Sequence, residues 1–79
     1  MIEEFNLQKL IRQSVEQQIK DNDPPATKET YERLIKNGDD DSTAMEKIIS
    51  AVAEEIFESL NKDRKINEKT YSEKLSKLE

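Results

Sequence analysis

The stretch Met45-Glu46-Lys47-Ile48-Ile49-Ser50-Ala51-Val52-Ala53-Glu54-Glu55-Ile56-Phe57-Glu58-Ser59-Leu60 decides the fold. Placed at 100° per residue, Met45, Ile48, Ile49, Val52, Ala53, Ile56, Phe57 and Leu60 cover an arc of roughly 180°, wider than the stripe of an ordinary surface helix. A helix of about Ser42 to Lys62 is expected, and a face that wide needs neighbours on more than one side. Ile48, Val52, Ile56 and Phe57 are the candidates for a central surface shared with another molecule.

Immediately upstream, Asn37-Gly38-Asp39-Asp40-Asp41-Ser42 sets three carboxylates beside the only glycine of the chain. Asn37-Gly38 suits the left-handed conformation that closes a helix. Asp40 or Asp41 can cap the next one, and an acidic run favours the positive end of its dipole. The rival is a calcium loop, which needs glycine at its sixth position and glutamate at its twelfth. Counting from Asn37 finds Ser42 and Ile48 there, and counting from Asp39 finds Ala44 and Ser50. Both registers fail, so the run is expected to punctuate helices, with a weak cation site as the minor alternative.

The remaining segments carry the same period. In a first helix, roughly Glu4 to Asp21, Leu7, Ile11, Val15 and Ile19 recur every four residues with Phe5 and Leu10 beside them, while Ser14 and Gln18 interrupt the face. Those two should lie near its edge or be hydrogen-bonded. Asp23-Pro24-Pro25 ends this helix and starts the next, because the residue before a proline leaves the helical region while a proline in the first turn costs no hydrogen bond. The second helix shows the narrow stripe Tyr31, Leu34, Ile35. After a polar turn at 61–65, Ile66 precedes an Asn67 cap and can staple onto Tyr71, and the last helix offers Tyr71, Leu75 and Leu78. Both tyrosine rings should pack inside with their hydroxyls reaching solvent.

The expected fold class is therefore all-α: one domain over residues 1–79, a small bundle of about four helices, two helical hairpins around a long central third helix. Lys28-Glu29-Thr30-Tyr31 with Leu34 is echoed by Glu68-Lys69-Thr70-Tyr71 with Leu75, as two stacked hairpins would produce.

Composition restricts the chemistry. Neither histidine nor cysteine occurs, which removes the commonest general base, the commonest metal ligand and the best nucleophile. The sequence predicts no enzyme, no cofactor, no metal and no small-molecule substrate. Glu54, Glu55 and Glu58 form the densest carboxylate group and should make a solvated face, with Glu55 the one member able to meet a cation from another helix. The amino terminus shows no basic flank before an apolar run, and no stretch approaches a membrane span; a cytoplasmic protein that avoids membranes is expected. Net charge is -5. Residues 1–60 hold 7 basic and 14 acidic side chains, and residues 61–79 hold 6 and 4. An acidic body argues against nucleic acid as the main partner, because phosphate recognition needs a cationic surface. The alternative is an accessory nucleic-acid-binding role for the basic carboxy-terminal segment, Lys62, Arg64, Lys65, Lys69, Lys74 and Lys77, although Asp63, Glu68 and Glu73 interrupt it.

Asn22-Asp23-Pro24-Pro25, Glu29-Thr30-Tyr31-Glu32-Arg33-Leu34, Gly38, Ala44, Glu55-Ile56 and Tyr71 with Leu75 together resemble a family of small uncharacterised bacterial helical proteins of unknown function. The resemblance covers roughly residues 15–78 and rests on turn and core positions; the Asn37–Ser42 turn departs from that pattern's apolar-then-serine opening. It implies bacterial origin and a helical fold, and no activity. A 79-residue chain buries only a thin core, for which oligomerisation is a remedy. The partner expected is accordingly a second copy, giving a homodimer, or another protein.

Overall fold

The punctuation produces four helices in a computed structural model that describes residues 6–79: α1 Leu7–Asp21, α2 Pro25–Lys36, α3 Asp41–Asn61 and α4 Glu68–Ser76. The expected start at Glu4 and the placement of Phe5 lie outside the described residues. Asn6 caps α1 by accepting from the Lys9 N–H at 3.0 Å. Asn22 ends it in the left-handed region at φ 53°, with the Asp23 N–H returning to the Gln18 carbonyl. Pro24 and Pro25 then open α2, as the double proline requires. Gly38 closes α2 at φ 110°, and the Asp39 N–H reaches the Leu34 carbonyl.

The acidic run divides three tasks among its carboxylates. Asp40 caps α3 through the Thr43 N–H at 2.8 Å, Asp39 pairs with Lys47 at 2.8 Å, and Asp41 accepts the Tyr31 hydroxyl at 2.7 Å. Each is accounted for by a protein partner. The Asp40 carboxyl is held below its ordinary value chiefly by the Thr43 N–H.

α3 is the axis against which α1, α2 and α4 all pack; α2 also contacts α1 and α4. Ile11, Val15, Leu34, Ala44, Met45, Ile48, Ile49, Ala51, Tyr71 and Leu75 are the buried apolar side chains. Each large one contributes about 1.5–3 kcal/mol by leaving water. α2 covers α3 with more than its apolar stripe: Thr27 and Thr30 are buried beside Leu34, and the Thr30 hydroxyl is satisfied by the Ala26 carbonyl at 2.7 Å. Ile35, placed in that stripe by its spacing, stays 38% exposed.

Two basic side chains fasten the end of α4. Arg33 donates to the Leu75 and Leu78 carbonyls at 3.0 and 2.6 Å, and Lys47 donates to the Glu79 carbonyl. These carbonyls lie at a helix end, where a cation offsets the negative pole. Among the described residues no helix is long and apolar enough to cross a membrane.

Candidate functional site

The backbone determines where charge collects. Asp63 turns left-handed at φ 49° just after α3, and the Arg64 N–H bonds back to the Ser59 carbonyl at 2.9 Å. That reversal lays the Arg64 side chain along α3 toward Glu55. The guanidinium Nη1 donates to Glu55 Oε2 at 2.7 Å, the Asn67 N–H donates to the same oxygen at 3.0 Å, and Oε1 accepts the Thr70 hydroxyl at 2.9 Å and the Lys74 ammonium at 3.1 Å. Glu55 is only 1% exposed. Lys74 also meets Glu58 at 2.6 Å, and Arg64 meets it at 3.4 Å.

This corrects the expectation of a solvated carboxylate face. Glu54 is exposed as expected, but Glu58 is half-buried and paired, and Glu55 is the buried anchor on which the α3–α4 turn and α4 converge. The cation from another helix is Lys74. The Arg64 guanidinium, ahead of the Asn67, Thr70 and Lys74 donors, holds the Glu55 carboxyl far below the usual carboxylate range, overcoming the upward push of burial. Lys74 likewise lowers Glu58. A carboxylate saturated with donors in this way stays ionised and has no proton to exchange near neutral pH. Its role is to position α4.

A second polar cluster lies below it. Thr27 donates to Gln18 Oε1 at 2.7 Å, the Tyr71 hydroxyl reaches the same oxygen at 3.2 Å, and the two hydroxyls are 3.1 Å apart. Tyr71 therefore does not send its hydroxyl to solvent: the ring is 6% exposed, burial raises its pKa, and α1 and α2 supply the partners. Tyr31 keeps the expected arrangement, half-buried with its hydroxyl outside on Asp41. Gln18 interrupts the apolar face of α1 because it bridges to α2 and α4.

That bridge spans a gap. Among the described residues α1 and α4 make no backbone approach to each other, although both flank α3. Between them lies an open apolar groove of about 280 Å³, lined by Leu7, Leu10, Ile11, Val52, Ile56 and Ile66, with Ser14, Gln18, Glu55 and Tyr71 as its polar members. Leu7 and Leu10 remain 47% and 53% exposed there. On the outward side of α3, about 180° around the helix from Ile48 at 100° per residue, stands Phe57. It is 62% exposed, and Leu60 beside it is 73% exposed.

The profile of a domain of unknown function, DUF1841, matches residues 7–77, nearly the whole chain. The chain belongs to the DUF1841 family. No curated protein and no solved structure matches it. The matched region contains all four helices of the DUF1841 chain and both polar clusters.

The four surface candidates separate on this fold. Ile48 is fully buried in the chain's own core, so it offers nothing to a partner. Val52 and Ile56 are half-buried in the groove wall, and Phe57 faces outward. The wide arc on α3 is thus two surfaces, an inner one that packs and an outer one that does not. Leu7, Leu10, Ile35, Leu60 and Ile66 complete the exposed large apolar set among the described residues, and of these only Leu60 shares the α3 arc. Ile66 lines the groove together with Tyr71, as a staple would, yet remains 64% exposed. Within the basic segment, Arg64 and Lys74 are committed to Glu55 and Glu58.

Proposed function

We propose that this DUF1841 chain is a helical protein–protein interaction module that self-associates through apolar surface its own helices leave uncovered. One observation carries the reading: Phe57 and Leu60, large apolar side chains one turn apart on the longest helix, are 62% and 73% exposed. Single exposed apolar residues are ordinary on a protein surface, whereas a group of them marks an interaction site. Here Ile56 joins them to the groove holding Leu7, Leu10 and Ile66. The small core adds a motive, because association supplies burial that one chain of this size lacks.

The test is light scattering after size exclusion, repeated from low micromolar to millimolar protein. The expected mass rises with concentration toward twice the chain mass. A monomer mass throughout removes the proposal. Phe57→Asp should abolish the rise and leave helicity intact, because the side chain contributes little to the chain's own core.

A further inference from the structure

Asn37-Gly38 closes α2, and the same two residues are the pair most open to intramolecular chemistry. In any asparagine the side-chain Cγ and the backbone nitrogen of the next residue can close a five-membered ring. A side chain on that next residue hinders the closure, and glycine has none. The asparagines of the chain are Asn6, Asn22, Asn37, Asn61 and Asn67, followed by Leu7, Asp23, Gly38, Lys62 and Glu68. Only Asn37 precedes glycine. Both members of the pair are exposed, and among the described residues no heavy atom lies within 4 Å of where a Gly38 Cβ would stand, so the turn has room for the ring. Asn6 and Asn67, by contrast, commit their side-chain oxygens to helix caps.

The fold opposes that closure. Asn37 sits at φ -80° and ψ -1°, which places the Gly38 nitrogen about a third of a turn around the Cα–C bond from Cβ. The ring needs the two side by side. Rotation is held back by two hydrogen bonds, from the Gly38 N–H to the Ile35 carbonyl at 3.1 Å and from the Asp39 N–H to the Leu34 carbonyl at 3.0 Å. Both lie at a helix end, where local opening costs least.

We propose that Asn37 is a site of spontaneous modification, attacked by the Gly38 nitrogen, and that the α2–α3 turn sets the rate by holding that nitrogen on the Ile35 carbonyl. Base removes the Gly38 amide proton, the nitrogen bonds to Cγ, and the carboxamide nitrogen takes up a proton and leaves as ammonia, giving a cyclic imide. Water reopens it. Addition at Cγ breaks the new C–N bond and leaves aspartate; addition at the backbone carbonyl breaks the original peptide bond and leaves isoaspartate, with the chain running through the side-chain carbonyl. Water is consumed, ammonia is released and nothing is oxidised or reduced. Either product sets a carboxylate at the negative pole of α2, beside Asp39, Asp40 and Asp41. Isoaspartate also adds a main-chain carbon ahead of the Asp40 cap, which shifts the Asp39 N–H off the Leu34 carbonyl. The chemistry is independent of self-association.

The test is to age the full chain in warm, mildly alkaline buffer and follow each asparagine by proteolytic peptide mapping and mass spectrometry. The Asn37 peptide should be the first to gain one mass unit, as two separable products of equal mass. In urea the same peptide should react roughly 5- to 150-fold faster, the factor expected when two ordinary backbone hydrogen bonds no longer hold the turn. Hydrogen exchange at the Gly38 amide requires release of the same N–H, so its protection in the folded chain should match that factor within about threefold. Asn37→Gln, which would have to close a larger ring, should stay unmodified at this position. The isolated isoaspartate form should melt below Asn37→Asp, which carries the charge on an unlengthened backbone. A different asparagine reacting first in the folded chain would overturn the site. Equal rates for Asn37 with and without urea would overturn control by the turn, and equal melting of the isoaspartate form and Asn37→Asp would remove the structural consequence.

Discussion

Replacing Glu55 with Gln keeps the volume of the side chain and removes its charge. In the folded chain four donors lie within 3.1 Å of its oxygens, two of them cationic. Hydrogen bonds to charged groups contribute about 1.5–3 kcal/mol each and neutral ones about 1, so loss of the charge removes about 1–4 kcal/mol over the Arg64 and Lys74 contacts. The new amide N–H₂ must also face donors on one side, which adds about 1–2 kcal/mol. Arg64 and Lys74 are not stranded, since Glu58 lies 3.4 and 2.6 Å away, and the total is therefore about 2–4 kcal/mol rather than the larger penalty of an isolated buried charge. For a chain of this length that lowers the Tm by roughly 10–30 °C. Urea unfolding followed by helical circular dichroism measures it, and Thr70→Val, which deletes one neutral donor, provides a milder variant expected to lose about 1 kcal/mol. The sign of the pH dependence is also determined. The folded Glu55 pKa lies below its ordinary 4.5, so its contribution is complete above that pH and disappears as pH falls from there toward the folded value. Wild type should lose stability on acidification more steeply than Glu55→Gln. A variant within about 0.5 kcal/mol of wild type at pH 7, or one with the same acid slope, would refute the assignment of Glu55 as the anchor of α4.

Two further substitutions examine the rest of the fold. Tyr71→Phe leaves the ring packed but deletes the hydroxyl shared with Thr27 and Gln18; a loss of about 1 kcal/mol is expected in urea unfolding, and no loss would mean that the cluster contributes nothing. Gly38→Ala meets no atom within 4 Å, so its whole cost is the left-handed backbone at φ 110°, about 1 kcal/mol or more; an unchanged midpoint would contradict that conformation.

Helix ends were legible from neighbouring residues alone. Pro24-Pro25, Gly38, Asp40 and Asn67 act on backbone groups within four positions of themselves, and all four perform the tasks their types prescribe. The all-α class followed from the same local chemistry, because a 3.6-residue period needs no knowledge of what lies opposite. The functional surface was less legible, since periodicity gives the direction of a side chain but not what meets it. Phe57 and Ile48 belong to one apolar arc in the sequence, yet the fold buries Ile48 fully and leaves Phe57 62% exposed.

Glu55 shows the other side of the same limit. Among Glu54, Glu55 and Glu58 on one helix, its burial depends on a left-handed Asp63 that returns Arg64 to α3 and on an α4 that delivers Thr70 and Lys74 from as far as 19 positions along the chain. Tyr71 is similar: its hydroxyl turns inward because Thr27, 44 positions away, and Gln18, 53 positions away, wait there. Capping and periodicity are properties of a few consecutive residues, so the chain displays them openly. Burial and pairing belong to groups brought together from distant positions, and they come into being only once the helices have packed.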